Sequence, residues 1–450
     1  MRNPDFAGAP ACASLGPFRF APGWSRGNAA TVWLASFFTI GLAAFLSFLQ
    51  PYLLNAVLRI PLAEQGRLTG NLGFLQELIV ISIASFAGAW SDRVGRRHVY
   101  CLGLLLMAAG LLIYPFASNR IELLLFRIVF AFGVAMAPLM LSACVVDATQ
   151  ERSRGKWVGS NNVLQGLGVV IMSLGLAKLP LWFAARGADT VSAGRYAFGV
   201  AAVIALLAAA VMAAGLPRLV PRRAIPGQPG LWASVRRAAG LGLANPRLAV
   251  AYGAAFIGRG DFVIIGAFFS LWITQAGIAA GLTPAASLAR GGMLFGILQL
   301  AAMAWAYFMG LIADRVNRVT GLCIALGLAV AGYLLLGQTD DPFGARFIPV
   351  AVLVGVGEVS VIVASSALLG QEAPATERGP VVGLFNAMGG VGILFATVAG
   401  GYVFDHLGPT VPFTMMAILN ALLLVAALVV RSAGKAAVTT TRADNQSNPR

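Results

Sequence analysis

The chain has 450 residues, of which 58% are hydrophobic and 11% charged, with a formal net charge of +15. Soluble domains carry about 25% charged residues, so this composition excludes a soluble globular protein and indicates a membrane protein. The four cysteines form no CxxC pair or Cys/His cluster, which implies neither metal, cofactor nor disulfide.

In chain order, the first 28 residues hold Pro4, Asp5, Pro10, Pro17 and Pro22 and no compact apolar core with a cleavage site. They read as a tail, placed at 1–30, and not as a signal peptide. About 20 apolar residues cross the ~30 Å hydrocarbon layer. Twelve such runs follow, at 31–54, 69–90, 98–117, 122–146, 157–182, 195–216, 248–273, 290–311, 319–337, 347–370, 380–403 and 412–431. The expected architecture is an all-α membrane protein with twelve transmembrane helices in two pseudo-symmetric six-helix bundles, at 31–216 and 248–431. A tail occupies 432–450. Residues 217–247, with five prolines and six arginines, form a linker. Within it, LWASVRRAAGLGLA has the pattern of a short amphipathic helix at a membrane surface.

Lys and Arg collect in cytoplasmic loops. With both termini cytoplasmic and charges at span ends counted with the adjoining loops, 22 of the 32 basic residues lie inside and 8 outside, leaving Arg127 and Arg259 deeper within spans. The net charge therefore faces anionic lipid headgroups in the main and is no argument for nucleic acid.

The chain repeats itself at an offset of about 222–224 residues. GAWSDRVGRR at 88–97, after the second run, matches GLIADRVNRV at 310–319, after the eighth. RGKWVGSNN, beginning at Arg154, matches RGPVVGLFN, beginning at Arg378, each between the fourth and fifth runs of its half. Two matches at nearly one offset indicate a duplicated six-helix unit.

Twelve spans, a 6+6 duplication and Gly88, Asp92, Arg93, Gly95, Arg96 and Arg97 between the second and third spans together resemble the major facilitator superfamily of secondary transporters. The resemblance covers roughly residues 30–432, and the loop motif is most like that of drug:proton antiporter-type members. In the second copy Gly310, Asp314 and Arg315 are kept, while Asn317 replaces the glycine and Val319 the last basic residue. The family implies two bundles rocking about a midplane site, as a monomer in the lipid bilayer of a bacterial inner membrane. It also makes the eleventh span, beginning near Gly379, the helix that meets Asp92.

The motif also has its own physics. Gly88, without a side chain, allows close helix approach. Asp92, four residues later, can accept hydrogen bonds at the positive N-terminus of a neighbouring helix. Arg93, Arg96 and Arg97 would face Asp147 and Glu151 at the foot of the fourth span, forming a latch. The symmetric latch would use Asp314, Arg315, Glu372 and Arg378. The plainer reading of the arginines is topology alone.

Ionisable residues inside spans cost roughly 2.5–3.5 kcal/mol on insertion scales and are site candidates by default. Arg259 and Asp261 lie near the middle of the seventh span and Glu358 at a similar depth in the tenth, while Glu77 and Arg127 form a shallower set. In the resembling family the first, fourth, seventh and tenth helices line the cavity. Arg259-Gly260-Asp261, about 13 residues into a helix, is too deep for an adhesion tripeptide. Positions i and i+2 point about 200° apart, so Arg259 and Asp261 share a face only if Gly258 and Gly260 interrupt the helix. Asp261 or Glu358 is the expected proton carrier; the alternative is a fixed Arg259–Glu358 ion pair joining two helices.

No nucleophile and base are set for an enzyme. Three functions fit: a proton-coupled transporter of a small organic solute, with export favoured by the loop motif; a proton symporter importing a small organic anion, favoured by the two intramembrane arginines; and a transporter-like sensor or assembly protein.

Overall fold

The computed structural model describes residues 13–217, 231–344, 346–374 and 376–447. The first twelve residues of the expected tail, residues 218–230 of the expected linker and residues 448–450 of the C-terminal tail lie outside the described residues.

A short hairpin, β1 (Ser14–Leu15) and β2 (Phe18–Arg19), precedes α1 (Arg26–Tyr52), α2 (Gln65–Val94), α3 (Arg96–Ile113), α4 (Arg120–Asp147) and α5 (Arg154–Leu176). Then come the short α6 (Leu179–Ala184), α7 (Thr190–Gly215) and α8 (Leu231–Ala244). The remaining helices are α9 (Pro246–Val263), α10 (Ser270–Ala279), α11 (Pro284–Arg315), α12 (Arg318–Gly337), α13 (Phe347–Glu372), α14 (Arg378–Leu407) and α15 (Val411–Ser447). Twelve spans are long and apolar enough to cross a membrane, the seventh being α9 and α10 joined through a π-helical turn at Ile264–Phe269. The chain is a multi-pass membrane protein, and among the described residues its only strands are those of the hairpin.

By contacts the chain forms two compact units. One holds Met1–Leu49, Ala56–Leu58 and Leu78–Ile225, the other Gln50–Asn55, Arg59–Glu77 and Pro226–Arg450.

In the first unit, residues that read as tail are folded. Phe18 and Phe20 set their rings 5.5 and 5.4 Å from that of Trp157, and the Arg19 amide donates to Ser153 Oγ at 3.0 Å. Burying Phe20, and packing the partly buried Phe18, against a fully buried tryptophan accounts for the order.

Small residues set the helix packing, as expected where lipid supplies no hydrophobic drive. A Cβ on Gly168 of α5 would run into the Phe37 carbonyl of α1, and one on Gly133 of α4 would lie 2.6 Å from Met107 of α3. Gly110 of α3 presses on Phe130 of α4 in the same way.

The second unit repeats these contacts at offsets of 219–224 residues. Gly392 of α14 meets the Phe256 carbonyl of α9, Gly357 of α13 meets Ala329 of α12, and Gly332 of α12 meets Val354 of α13. This unit also takes in the end of α1, the start of α2 and the whole of α8. Gly70 of α2 packs against Thr397 and Gly401 of α14, and the Gly66 and Arg67 amides both donate at 2.7 Å to the Asp405 carboxylate. These bonds satisfy amides that a helix N-terminus leaves unpaired. The helix expected at 231–244 is present as α8, with Ala238 in a small apolar core beside Leu248, Tyr252 and Val381.

Candidate transport and coupling site

The membrane-embedded charges separate by unit. In the first, Arg127 of α4 is buried, 2% exposed. Its guanidinium donates to Ser47 Oγ at 3.1 Å and lies 5.9 and 5.8 Å from the ring centroids of Tyr114 and Phe130. A hydroxyl and two aromatic faces are thus among the contacts of this buried arginine. Ser47, Tyr114 and Phe130 all belong to the same unit as Arg127. Glu77, expected to belong with Arg127, lies in the second unit, half-buried and within electrostatic reach of Arg259.

In the second unit, α9 runs as unbroken α-helix through Gly258 and Gly260 to Val263. The expected interruption at those glycines is not there. The backbone widens four residues after Gly260, from Ile264. Arg259 and Asp261 therefore point apart, as helical geometry requires. Arg259 is exposed, in a cleft with Gly258, Ser365, Ser366 and Phe385. Gly389 makes room for its stem, since a Cβ there would come within 2.7 Å of Arg259 Cγ. Asp261 is fully buried on the other side, where Asn420 Nδ2 of α15 donates to its two carboxylate oxygens at 3.1 and 3.0 Å. Glu358 of α13 is 4% exposed and lies near enough to Asp261 for their charges to interact. Among the described residues no ion pair joins Arg259 to Glu358, so the fixed-pair alternative does not hold in this structure.

The latch is partly assembled. Arg96 Nε donates to the Asp147 carboxylate, while its other nitrogens lie 3.5 Å from Asp92 and 3.1 Å from Ser91 Oγ. Arg96 opens α3 next to the residue that closes α4, whereas Arg93 ends α2 on the far side of the turn at Gly95, which has φ +93°. Arg97 instead donates to the Leu216 carbonyl at 3.5 Å, and Glu151 pairs with Arg154.

In the second copy Arg318 pairs with Asp314 at 2.9 Å, the same i, i+4 bridge. Glu372, however, binds Arg247 at 3.5 Å and accepts from Asn245 at 3.0 Å, because the start of α9 lies beside the end of α13. The expected grouping of Glu372 with Asp314, Arg315 and Arg378 is thus replaced by a bridge to α9. Arg315 and Arg378 make no ion pair among the described residues. Among the described residues a Cβ at Gly88 or at Gly310 would meet no atom within 4 Å.

Two residues escaped the sequence reading. Asn420 holds Asp261, and Tyr333 of α12 is fully buried within electrostatic reach of Asp261 and Glu358. The signal for Asn420 was its polar amide in the apolar stretch AILNALLLV; Tyr333 in AGYLLLG carries the same kind of signal. Chemically, the site presents an exposed guanidinium able to hold an anionic group, and two buried carboxylates able to take up positive charge.

The family model of the Major Facilitator Superfamily matches residues 32–356 and 292–448. Magnetosome protein MamZ of Paramagnetospirillum magneticum is 27% identical over 400 residues, covering 84% of this chain and 59% of MamZ, so the chain spans about three fifths of that relative. Magnetosome protein MamH of the same organism is 26% identical over 393 residues, covering 83% of this chain and 85% of MamH. The crystal structure of the nucleoside transporter NupG shares the fold, with a TM-score of 0.69 at 12% identity over 90% of this chain and 98% of its own.

Proposed function

The chain belongs to the major facilitator superfamily, a family of transporters and not of enzymes, and from that premise we propose that it moves a small organic solute with an anionic group by proton-coupled alternating access. The observation that carries this reading is the split on α9: Arg259 exposed beside two serine hydroxyls, Asp261 two residues on and buried near Glu358. Arg259 anchors the solute and the carboxylates carry the proton. A helix that packs the two roles on opposite faces lets a movement at one be felt at the other, the requirement for coupling.

In this reading both termini are cytoplasmic in a bacterial inner membrane, from the distribution of basic residues. Transport is outward, from the completeness of the Gly88–Arg97 loop. The latch at Arg96, Asp92 and Asp147 breaks and re-forms in each cycle. Similarity to magnetosome proteins over four fifths of the chain favours a second reading, a transporter-like sensor or assembly protein that moves no solute.

Proton flux in proteoliposomes on adding candidate solutes tests these readings. Antiport and symport move protons in opposite directions, and absence of flux for every solute supports the assembly role. Arg259→Gln is expected to raise KM for anionic solutes selectively, while Asp261→Asn abolishes proton movement. Full flux in both variants would overturn the site.

A further inference from the structure

The carboxylates of the second unit sit among oxygen atoms that nothing in the described residues satisfies. Glu358 Oε2, Asn420 Oδ1 and Tyr333 Oη are buried without a hydrogen-bond partner among those residues. Asn420 has turned its amide nitrogen to Asp261 and to the Met416 carbonyl, the latter at 3.0 Å, which leaves its oxygen unpaired. Buried polar atoms are nearly always paired, so three orphans beside a buried carboxylate form a feature that needs a ligand.

Four helices bring these groups together, and their contacts show how. Gly258 of α9 lies against Val361 of α13, which places Asp261 level with Glu358 on the antiparallel neighbour. The contacts of Gly332 with Val354 and Gly357 with Ala329 pack α12 closely on α13, and Tyr333, about one turn along from Glu358, lies within electrostatic reach of it. Gly260 against Met416 aligns α9 with α15, one helical turn before Asn420. Titratable groups at this level are Asp261, Glu358 and Tyr333, with Arg259 directed to the opposite face of α9 and Glu77 within its reach. Among the described residues no basic side chain pairs with either carboxylate.

Packing does not demand this arrangement. At the corresponding positions of the repeat, the first unit carries Leu42, Leu111 and Val134 where the second carries Asp261, Tyr333 and Glu358. The same helix contacts form around apolar side chains.

We infer that Asp261, Glu358, Asn420 and Tyr333 form a dehydrated binding site for a small monovalent cation of the hardness and size of sodium. Hard cations take oxygen ligands, and every group here offers one. A proton could neutralise one carboxylate but would engage one oxygen pair; a cation at the centre engages carboxylate, amide and phenol oxygens together. Sodium balances one carboxylate and a proton the other; at lower pH a second proton takes the place of sodium, so the two cations compete for the site and are coupled through it. This inference rests on the transporter reading and names the ion that shares its carboxylates.

The test is thermal unfolding of the purified full-length protein in detergent, in sodium chloride and in choline chloride at equal ionic strength. At about pH 8.5 saturating sodium is expected to raise Tm by roughly 5 °C over choline, with a smaller rise at about pH 5.5, where protons compete. Tyr333→Phe, which keeps the ring, should raise the half-maximal sodium concentration roughly tenfold, about the loss of one ligand. Glu358→Gln should abolish the rise. Equal Tm in sodium and choline, or an undiminished sodium effect in Glu358→Gln, overturns the site. Solute-driven proton flux with no sodium effect removes this inference and leaves the transport reading standing; a sodium effect that Glu358→Gln abolishes, in a protein that moves no solute, supports the site and removes the transport reading.

Discussion

The two units pack through the same glycines and bury opposite chemistry. Gly110, Gly133 and Gly168 in the first unit and Gly332, Gly357 and Gly392 in the second hold equivalent helices in contact. Inside that shared frame the first unit encloses one arginine, Arg127, held by Ser47 and two rings, while the second encloses Asp261 and Glu358 with no basic partner among the described residues. Duplication preserved what lets backbones approach and left the interior free to diverge. In a membrane, close approach depends on small residues, so those positions are constrained in both halves, whereas an interior polar group is kept only where it serves the site.

The strongest way to break this comparison is to give the second unit the interior of the first. Asp261→Leu with Glu358→Val copies Leu42 and Val134. It is expected to abolish solute-driven flux while raising stability by about 1–4 kcal/mol, since well-packed apolar groups often outdo buried ionic ones. Unfolding of the double variant in detergent would show instead that the carboxylates are structural.

Next in size are the shared glycines. Gly168→Ala and Gly392→Ala should each destabilise by about 1–3 kcal/mol through overpacking, because each new methyl meets a backbone carbonyl. Gly88→Ala and Gly310→Ala, with open space around them, should be neutral or stabilising by up to ~1 kcal/mol. A large loss at Gly88 would restore it as a packing residue.

The latch copies sharpen the contrast on a smaller scale. Arg96→Ala removes a half-buried bridge to Asp147 and should cost about 1 kcal/mol in thermal unfolding. Arg318→Ala removes a bridge to the exposed Asp314 and should cost about 0.3–0.5 kcal/mol. Equal losses would mean that the two copies carry equal weight.

The smallest effect concerns Asp189, the N-cap of α7. Hydrogen bonds from Ser192, then from the Val191 amide, hold its carboxyl below the ordinary carboxylate range. A depressed folded-state value means that its contribution is present above the unfolded value, about pH 4, and is lost as pH falls through the folded one. Asp189→Asn should therefore change thermal stability little at neutral pH and flatten its dependence below about pH 4.

Much of the organisation was legible along the chain. Twelve apolar runs needed only hydropathy, and the duplication was visible in the Asp92 and Asp314 loops. Interior charges stand out because ionisable residues are rare in spans, so Arg259, Asp261 and Glu358 are site candidates from the sequence alone. What hydropathy cannot convey is direction around a helix axis. Arg127 reads the same whether it faces a cavity or its own bundle, and Arg96 and Arg93 differ only by the turn at Gly95 that lies between them. Residues 13–24 read as tail because Phe18 and Phe20 are too short an apolar signal without Trp157 beside them.

The sequence by itself determined the class of molecule, its spans, its repeat and which charges lie at membrane depth, since these follow from local composition and the thickness of hydrocarbon. Tertiary structure alone decided that Arg259 is exposed and Asp261 buried, that Asn420 and Tyr333 join the carboxylates, and that Glu372 answers to Arg247. Those outcomes depend on which helices are neighbours and how their glycines set them in register, and nothing local in the chain carries that information.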